Sequence, residues 1–255
     1  MKENIVKWIE DYVSNNNGIT SLVVGVSGGI DSALTSTLCA ETGLPTFIVS
    51  MPIHQNRDQL ARAHKHMYWL TCKYPNVQTV EKDLTLLFES FKRLFDEKNE
   101  LALANSRARL RMTTLYQIAQ TNNGIVVGTG NKIEDFGVGF FTKYGDGGVD
   151  ISPIADLMKS EVRELSKDLG VTEEIVNAPP TDGLWGDDRT DEDQLGATYK
   201  ELEWAMNYIN SRDYKGTVNL TNREEEVLKI YKENNKKNNH KMNPIPVYYQ
   251  PKKIY

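Results

Sequence analysis

Ser21-Leu22-Val23-Val24-Gly25-Val26-Ser27-Gly28-Gly29-Ile30-Asp31-Ser32 is the stretch from which the fold of this chain is read. Leu22 to Val26 is a short apolar run, β-branched at three of its five positions, and reads as a buried parallel strand. It breaks at Ser27-Gly28-Gly29 and runs into Ser32-Ala33-Leu34-Thr35-Ser36-Thr37-Leu38, a helix start. Strand, glycine-rich turn and helix together aim free backbone N–H groups and a helix N-terminus at an anion. The two glycines admit a phosphate close to the main chain, and the serine hydroxyls can add hydrogen bonds. Asp31 is the informative residue, because a carboxylate is repelled from phosphate unless a cation lies between them. That suggests Mg²⁺ bridging Asp31 and a polyphosphate. An ordinary tight turn with an Asp favoured by the helix dipole is the plainer alternative. There is no Gly-Lys-Ser/Thr of a Walker A loop, and the spacing is not that of the dinucleotide fingerprint.

Ser-Gly-Gly-Ile-Asp-Ser after an apolar strand resembles the pyrophosphate loop of the N-type ATP pyrophosphatases. That superfamily includes the NAD, GMP and asparagine synthetases and several tRNA-modifying enzymes. The resemblance implies cleavage of ATP to AMP and pyrophosphate while a carbonyl oxygen is adenylated.

Working outward, 255 residues suffice for one α/β domain or two small ones. Folding at that length buries roughly 70–75% of the extended surface, so the core needs no staples. A net charge of −5 argues against a general nucleic-acid binder. Cys39 and Cys72 are the only cysteines, both in predicted helices, and read as buried reduced thiols. The N-terminus is no signal peptide, and no run is long enough to span a bilayer, so a reducing cytoplasm is the expected compartment.

Ile5, Trp8, Ile9, Tyr12 and Val13 share one helical face, an amphipathic cover whose aromatics are expected in the core. A helix to about Thr42, a strand over Leu44 to Met51 and a helix over Gln55 to Tyr74 follow the loop. His64 and His66, two apart, point to different faces and cannot form a helical metal pair. Val77 to Val80 is a third strand, Leu84 to Phe95 and Leu101 to Thr121 are helices, and Ile125 to Thr129 is a fourth buried strand. Alternation of this kind predicts an α/β doubly wound parallel sheet flanked by helices, with ligands at the carboxyl ends of the strands. A helix over Ser160 to Leu169 comes next, and Asn234 to Asn239 is the only low-complexity piece.

Three later segments carry chemistry. Arg107, Arg109 and Arg111 alternate on a helix, so they cannot share a face; a solvated basic surface and a ligand contact are both open. Thr129-Gly130-Asn131-Lys132-Ile133-Glu134 and Gly139-Phe140-Phe141-Thr142-Lys143-Tyr144-Gly145-Asp146-Gly147-Gly148-Val149-Asp150 put charges among glycines, a costly composition for a mere loop. His240-Lys241 lies in a basic C-terminal segment that reads by itself as a frayed, solvated tail.

Together these segments resemble NAD synthetases from the Ser27 loop almost to the C-terminus, with Phe140 to Asp150 the most specific match. The resemblance implies an adenine nucleotide alpha hydrolase-like fold, ATP as co-substrate and Mg²⁺. It implies ATP contacts at Gly25, Val26, Ser27, Gly28, Gly29, Ile30, Asp31, Ser32, Thr129, Lys159 and Thr181, with Asp31 and Glu134 as metal ligands. Arg109, Lys143, Asp150, His240 and Lys241 match deamido-NAD contacts, and Asp31, Lys159 and Asp146 are the catalytic candidates. The interval from Glu134 to Phe140 is about one residue longer than in many bacterial members, and Thr181 to Gly196 resembles the family's mobile loop.

The resemblance further implies amidation of deamido-NAD by ammonia, a homodimer with the dinucleotide across its interface, and no nucleic-acid or membrane partner. Residues 1–255 are expected to form a single synthetase domain without a glutaminase domain. A GMP synthetase core, a tRNA-modifying enzyme and an ATP-sensing module that does not turn ATP over are the rivals.

Overall fold

The apolar runs of the first half become strands β1 (Ser21–Gly25), β2 (Thr46–Ser50), β3 (Val77–Glu81) and β4 (Gly124–Val126) of one parallel sheet. The computed structural model describes residues 1–96, 99–181, 190–211 and 219–250. Strand order is β3-β2-β1-β4, with Val23 facing Phe47 on one side and Val126 on the other. The chain leaves β1 toward β2 and β3, then returns to set β4 on the opposite flank. That reversal opens a crevice between the carboxyl ends of β1 and β4, where open α/β sheets bind ligands. Past β4, Val127 bridges to Ile151, and the Gly128 N–H donates to the Ile151 carbonyl at 2.7 Å. The fourth run is thus three paired residues rather than the five expected, because the chain peels away into the crevice.

Side-chain alternation on the strands divides the core. Leu22, Val24 and Ile48 pack on α1 (Lys2–Asn15), α2 (Ile30–Glu41), α3 (Arg57–Lys73), α6 (Lys159–Asp168) and α7 (Glu173–Val176). Val23, Val49 and Val126 turn to the other face, against Phe88 of α4 (Thr85–Lys92) and Met112 and Leu115 of α5 (Glu100–Thr121). In α1, Ile9 and Val13 are buried, but Trp8 is 46% exposed and lies outside the core. The expected burial of both thiols holds for Cys39 only. Cys72 is exposed, whereas burial pushes the Cys39 thiol up to about 12.

A third apolar cluster joins a π-helical turn (Ile133–Val138) to α8 (Asp191–Leu195), α9 (Tyr199–Asn210) and α10 (Asn222–Met242). Both long helices start on capping boxes. Thr198 and Glu201 cap α9, and Thr221 and Glu224 cap α10, each Thr hydroxyl accepting the Glu N–H while the Glu carboxylate accepts the Thr N–H. The asparagine run and His240-Lys241 therefore lie within a regular helix, not in a frayed tail.

His66 and His64 do point apart. His64 pairs with Glu81 at the surface at 3.1 Å, while His66 is fully buried. The Ser36 hydroxyl donates to the Ala33 carbonyl at 3.1 Å, so His66 Nε2, 2.9 Å away, is the donor to Ser36 Oγ. Burial pushes the His66 pKa down to about 4 from its usual 6.5. A depressed histidine contributes stability above pH 6.5 that is lost as pH falls, because the unfolded chain takes the proton first. Between pH 7.5 and 5.0 the native protein should lose about 2 kcal/mol more unfolding free energy than His66→Gln, measured by urea denaturation. Equal losses in both proteins would rule this histidine out as the source.

Candidate active site

At the crevice lies a cavity of about 640 Å³, walled by the loop after β1, the turns after β2 and β4, α5, the π-helical turn and α10. The loop after β1 is shaped by its own residues. Ser32 Oγ accepts from the Ser27 N–H at 3.1 Å and donates to the Gly29 carbonyl at 2.9 Å, closing the turn on the first turn of α2. Gly28 has φ +87°, and a Cβ there would collide with the Gln59 carbonyl of α3. Arg62, also on α3, donates from Nε to the Gly28 carbonyl at 3.3 Å. The loop is thus fixed by α3 as well as by the sheet. Gly25, Val26, Ser27, Gly29, Ile30, Asp31 and Ser32 line the cavity, as do Thr129 and Thr181.

Lys159, at the start of α6, is the electrostatic centre. Its side chain is 4% exposed, and Nζ lies 2.5 Å from Asp31 Oδ2 and 3.1 Å from Glu134 Oε1. Burial alone would pull its pKa down, but the two carboxylates outweigh that, and the pKa is raised. Glu134 also accepts the Tyr199 hydroxyl at 2.5 Å, and the ammonium sits 4.6 Å over the Tyr199 ring. Glu203 of α9 accepts the Ser160 N–H at 2.8 Å, anchoring the first turn of α6 beside Lys159.

Asn131, fully buried, ties the two carboxylates together. Its Nδ2 donates to Asp31 at 3.1 Å, while its Oδ1 accepts the N–H groups of Ile133 and Glu134, each at 3.1 Å. This Asn131 role and that of Tyr199 were not anticipated. An Asn two residues before a helical turn is a sequence signal for the first, whereas nothing local marks Tyr199. Asp135 tucks its carboxyl against Gly130, where any Cβ would overlap it. Burial, then the nearby Glu134, Asp146 and Asp31, push it up to about 8. The lengthened interval after Glu134 is where the backbone forms the π-helical turn, a geometry that takes up an additional residue.

The other candidates separate into two groups. Lys241 lines the cavity, donating to the Phe141 carbonyl at 2.7 Å, and Asp146 lines it while accepting the Thr142 N–H at 3.0 Å. Arg109, Lys143 and His240 are linked outside it: Arg109 Nε donates to the Lys143 carbonyl at 3.2 Å, and Lys143 Nζ to the His240 carbonyl at 2.8 Å. Asp150 braces the sheet, one oxygen accepting the Val126 N–H at 2.7 Å and the other the Tyr116 hydroxyl at 3.1 Å. Of the segment read as a mobile loop, residues 182–189 lie outside the described residues, and Asp191–Leu195 is helical.

Residues 1–245 match the family described as NAD synthase. The chain belongs to the NAD synthase family. The NH(3)-dependent NAD(+) synthetase of Mesoplasma florum is 38% identical over 84% of this chain and 87% of its own. An NMN synthetase from Francisella tularensis superposes with a TM-score of 0.81 at 31% identity, over 98% of this chain and 97% of that one. An NH3-dependent NAD synthetase from Campylobacter jejuni superposes at 0.79 and 26% identity, over 97% of each chain. Within this family's fold, two carboxylates converging on one ammonium form a hard-oxygen donor set that fits Mg²⁺. Among the described residues no group of three or more metal-binding side chains occurs, so a divalent ion at this pair would complete its shell from phosphate and water.

Gly28→Ala tests the loop. Positive φ alone costs about 1–2 kcal/mol, and the overlap with the α3 backbone adds to it. ATP affinity by calorimetry should fall more than tenfold, while Gly43→Ala, at φ +71° with nothing within 4 Å, should leave it unchanged. Equal affinities in all three proteins would mean the loop does not hold ATP.

Proposed function

We propose that this chain makes NAD by ATP-dependent amidation of deamido-NAD with ammonia, releasing AMP and pyrophosphate, the final step of NAD biosynthesis. The observation that carries the reading is the buried Lys159–Asp31–Glu134 cluster beside the glycine-rich loop, at the switch point of an NAD synthase fold. The nicotinate carboxylate attacks the α-phosphorus of ATP, forming an acyl adenylate as the bond to pyrophosphate breaks. Ammonia then adds to the acyl carbon, AMP leaves, and the nitrogen sheds its proton to solvent or a cavity carboxylate.

The protein's work is placement and charge. The first turn of α2 and the serine hydroxyls of the Gly25 to Ser32 loop bind the phosphates, while the loop's Val26, Ser27 and Gly29 N–H groups hold its shape by donating to Val49 O, Ser32 Oγ and Ser27 Oγ. Lys159 neutralises charge that builds on the departing pyrophosphate. Enclosure of the cavity excludes water from the hydrolysable adenylate. Asp31 and Glu134 would hold Mg²⁺, which neutralises the polyphosphate. No covalent nucleophile is required.

Arg109, Lys143 and His240 serve, on this reading, the part of deamido-NAD outside the ATP cavity. A homodimer would place a second copy over that part. Leu86, Leu87, Leu94, Phe95 and Leu101, all at least half exposed on α4, the turn after it and the start of α5, support such a partner. Because four of the five dinucleotide candidates stand outside the cavity, a mononucleotide acceptor, as the name of the Francisella protein suggests, is the second reading. Residues 1–255 are read as one synthetase domain that uses free ammonia, consistent with the names of the relatives. A cytoplasmic location without membrane or nucleic-acid partners accords with the charge of −5, and no described helix is long and apolar enough to cross a membrane.

Pyrophosphate release from ATP should depend on deamido-NAD and ammonium, with nicotinate mononucleotide supporting little. Release driven equally by the mononucleotide would favour the second reading, and release with neither would overturn both. Glutamine should yield no more NAD than its contaminating ammonia. Asp31→Asn should keep the fold and lose a factor on the order of 10³ in rate, about 4 kcal/mol of transition-state stabilisation. Near-normal turnover would remove Asp31 from the mechanism.

A further inference from the structure

One face of α10 runs alongside the backbone that follows Glu134. Along it, Asn235, Asn238 and Lys241 recur at helical spacing, and each donates to a main-chain carbonyl of the neighbouring segment. Asn235 Nδ2 reaches Gly137 O at 2.7 Å, Asn238 Nδ2 reaches Val138 O at 2.8 Å, and Lys241 Nζ reaches Phe141 O at 2.7 Å. The Gly137 and Val138 carbonyls lie at the end of the π-helical turn, where the helix leaves its last carbonyls without internal partners, and Phe141 follows three residues beyond it. The turn closes through the Gly139 N–H onto the Glu134 carbonyl, so the same short segment fixes both the cap and the carboxylate. Gly139 takes φ +64°, and a Cβ there would collide with Asn238 Cβ. Gly137 lies against the Tyr231 ring of α10, 3.4 Å from where its Cβ would stand. Close approach by two glycines and two amide donors is a built contact rather than chance packing.

We propose that Asn235 and Asn238 are positioning residues that set the place of Glu134 by holding the open end of the π-helical turn. A π-helical turn is rare and less stable than an α-helical one, so an outside partner for its free carbonyls decides whether it persists. If the turn relaxes toward α geometry, the residues after Glu134 shift in register, and its carboxylate leaves the point it shares with Asp31. Lys241 in the last turn of the same helix lines the ATP cavity, so α10 spans both ends of the site. The inference rests on the reading of Glu134 as a cation ligand.

The test is Mn²⁺ binding, followed by electron paramagnetic resonance in the presence of a non-hydrolysable ATP analogue, in the full chain. Asn235→Asp and Asn238→Asp keep the side-chain shape but remove the amide donor. Asn235→Ala and Asn238→Ala remove it without adding charge, should the first pair fold poorly. Glu134→Gln reports on the underlying reading. The expected result is about a tenfold rise in half-saturating Mn²⁺ in the Asn variants, with thermal midpoints near that of the native protein. Asn235→Gln, which retains a donor, should recover part of the loss. Native Mn²⁺ affinity in the folded Asn variants, with weakened binding in Glu134→Gln, would overturn the positioning role alone. Native affinity in Glu134→Gln as well would overturn the metal reading and the positioning role with it.

Discussion

Two carboxylates that must stay together in a poorly solvated crevice are the constraint on which this structure depends. Asp31 comes from the first turn of α2 and Glu134 from the π-helical turn after β4, and repulsion would separate them without a cation between. Lys159 supplies that cation at 2.5 and 3.1 Å, Asn131 donates to the other oxygen of Asp31, and Tyr199 donates to the same Glu134 oxygen that the ammonium contacts. A buried charge pair contributes little net stability, since desolvation cancels most of the attraction. Its value is specificity: the phosphate loop, the turn after β4 and α6 are locked at one mutual position.

The three apolar clusters divide the labour around that centre. The sheet and its two helical layers bury β-branched strands on both faces and fix where β1 and β4 end. The third cluster, built from the π-helical turn and α8 to α10, adds no strand and forms one wall of the cavity. Glu203, Tyr199, Asn235 and Asn238 are all donated to the site by this cap. Stability and chemistry are thereby partly separated, with the sheet holding the loop and the cap holding the second carboxylate.

Legibility in the sequence follows the range of the interactions. The parallel sheet was readable because Leu22 to Val26 and Ile125 to Val127 are continuous apolar runs punctuated by glycine, a purely local signal. The phosphate loop was readable for the same reason, and the resemblance to NAD synthetases carried Glu134 and Lys159. The meeting of Asp31 and Glu134 at the Lys159 ammonium, across 128 and 25 residues of chain, could not be seen locally. Nor could the role of Tyr199, a residue of ordinary composition on an ordinary helix. The asparagine run misled because polar low complexity usually means solvated chain. Here the apolar Val227, Leu228 and Tyr231 anchor the helix, and the asparagines bond a neighbouring backbone. Capping boxes at Thr198 and Thr221 are local signals of α9 and α10, two helices left unassigned from the sequence.

The sharpest measurement of the central claim removes the cation. Lys159→Met leaves Asp31 and Glu134 facing each other with nothing between them, a defect worth about 3 kcal/mol. Thermal unfolding of the variant at neutral pH, with and without millimolar Mg²⁺, measures whether a metal takes the ammonium's place. The expected result is a variant well below the native protein without the ion and largely restored by it, with the native protein scarcely affected. A variant as stable as the native protein, or one that Mg²⁺ leaves unchanged, would contradict the view that this carboxylate pair is a cation site.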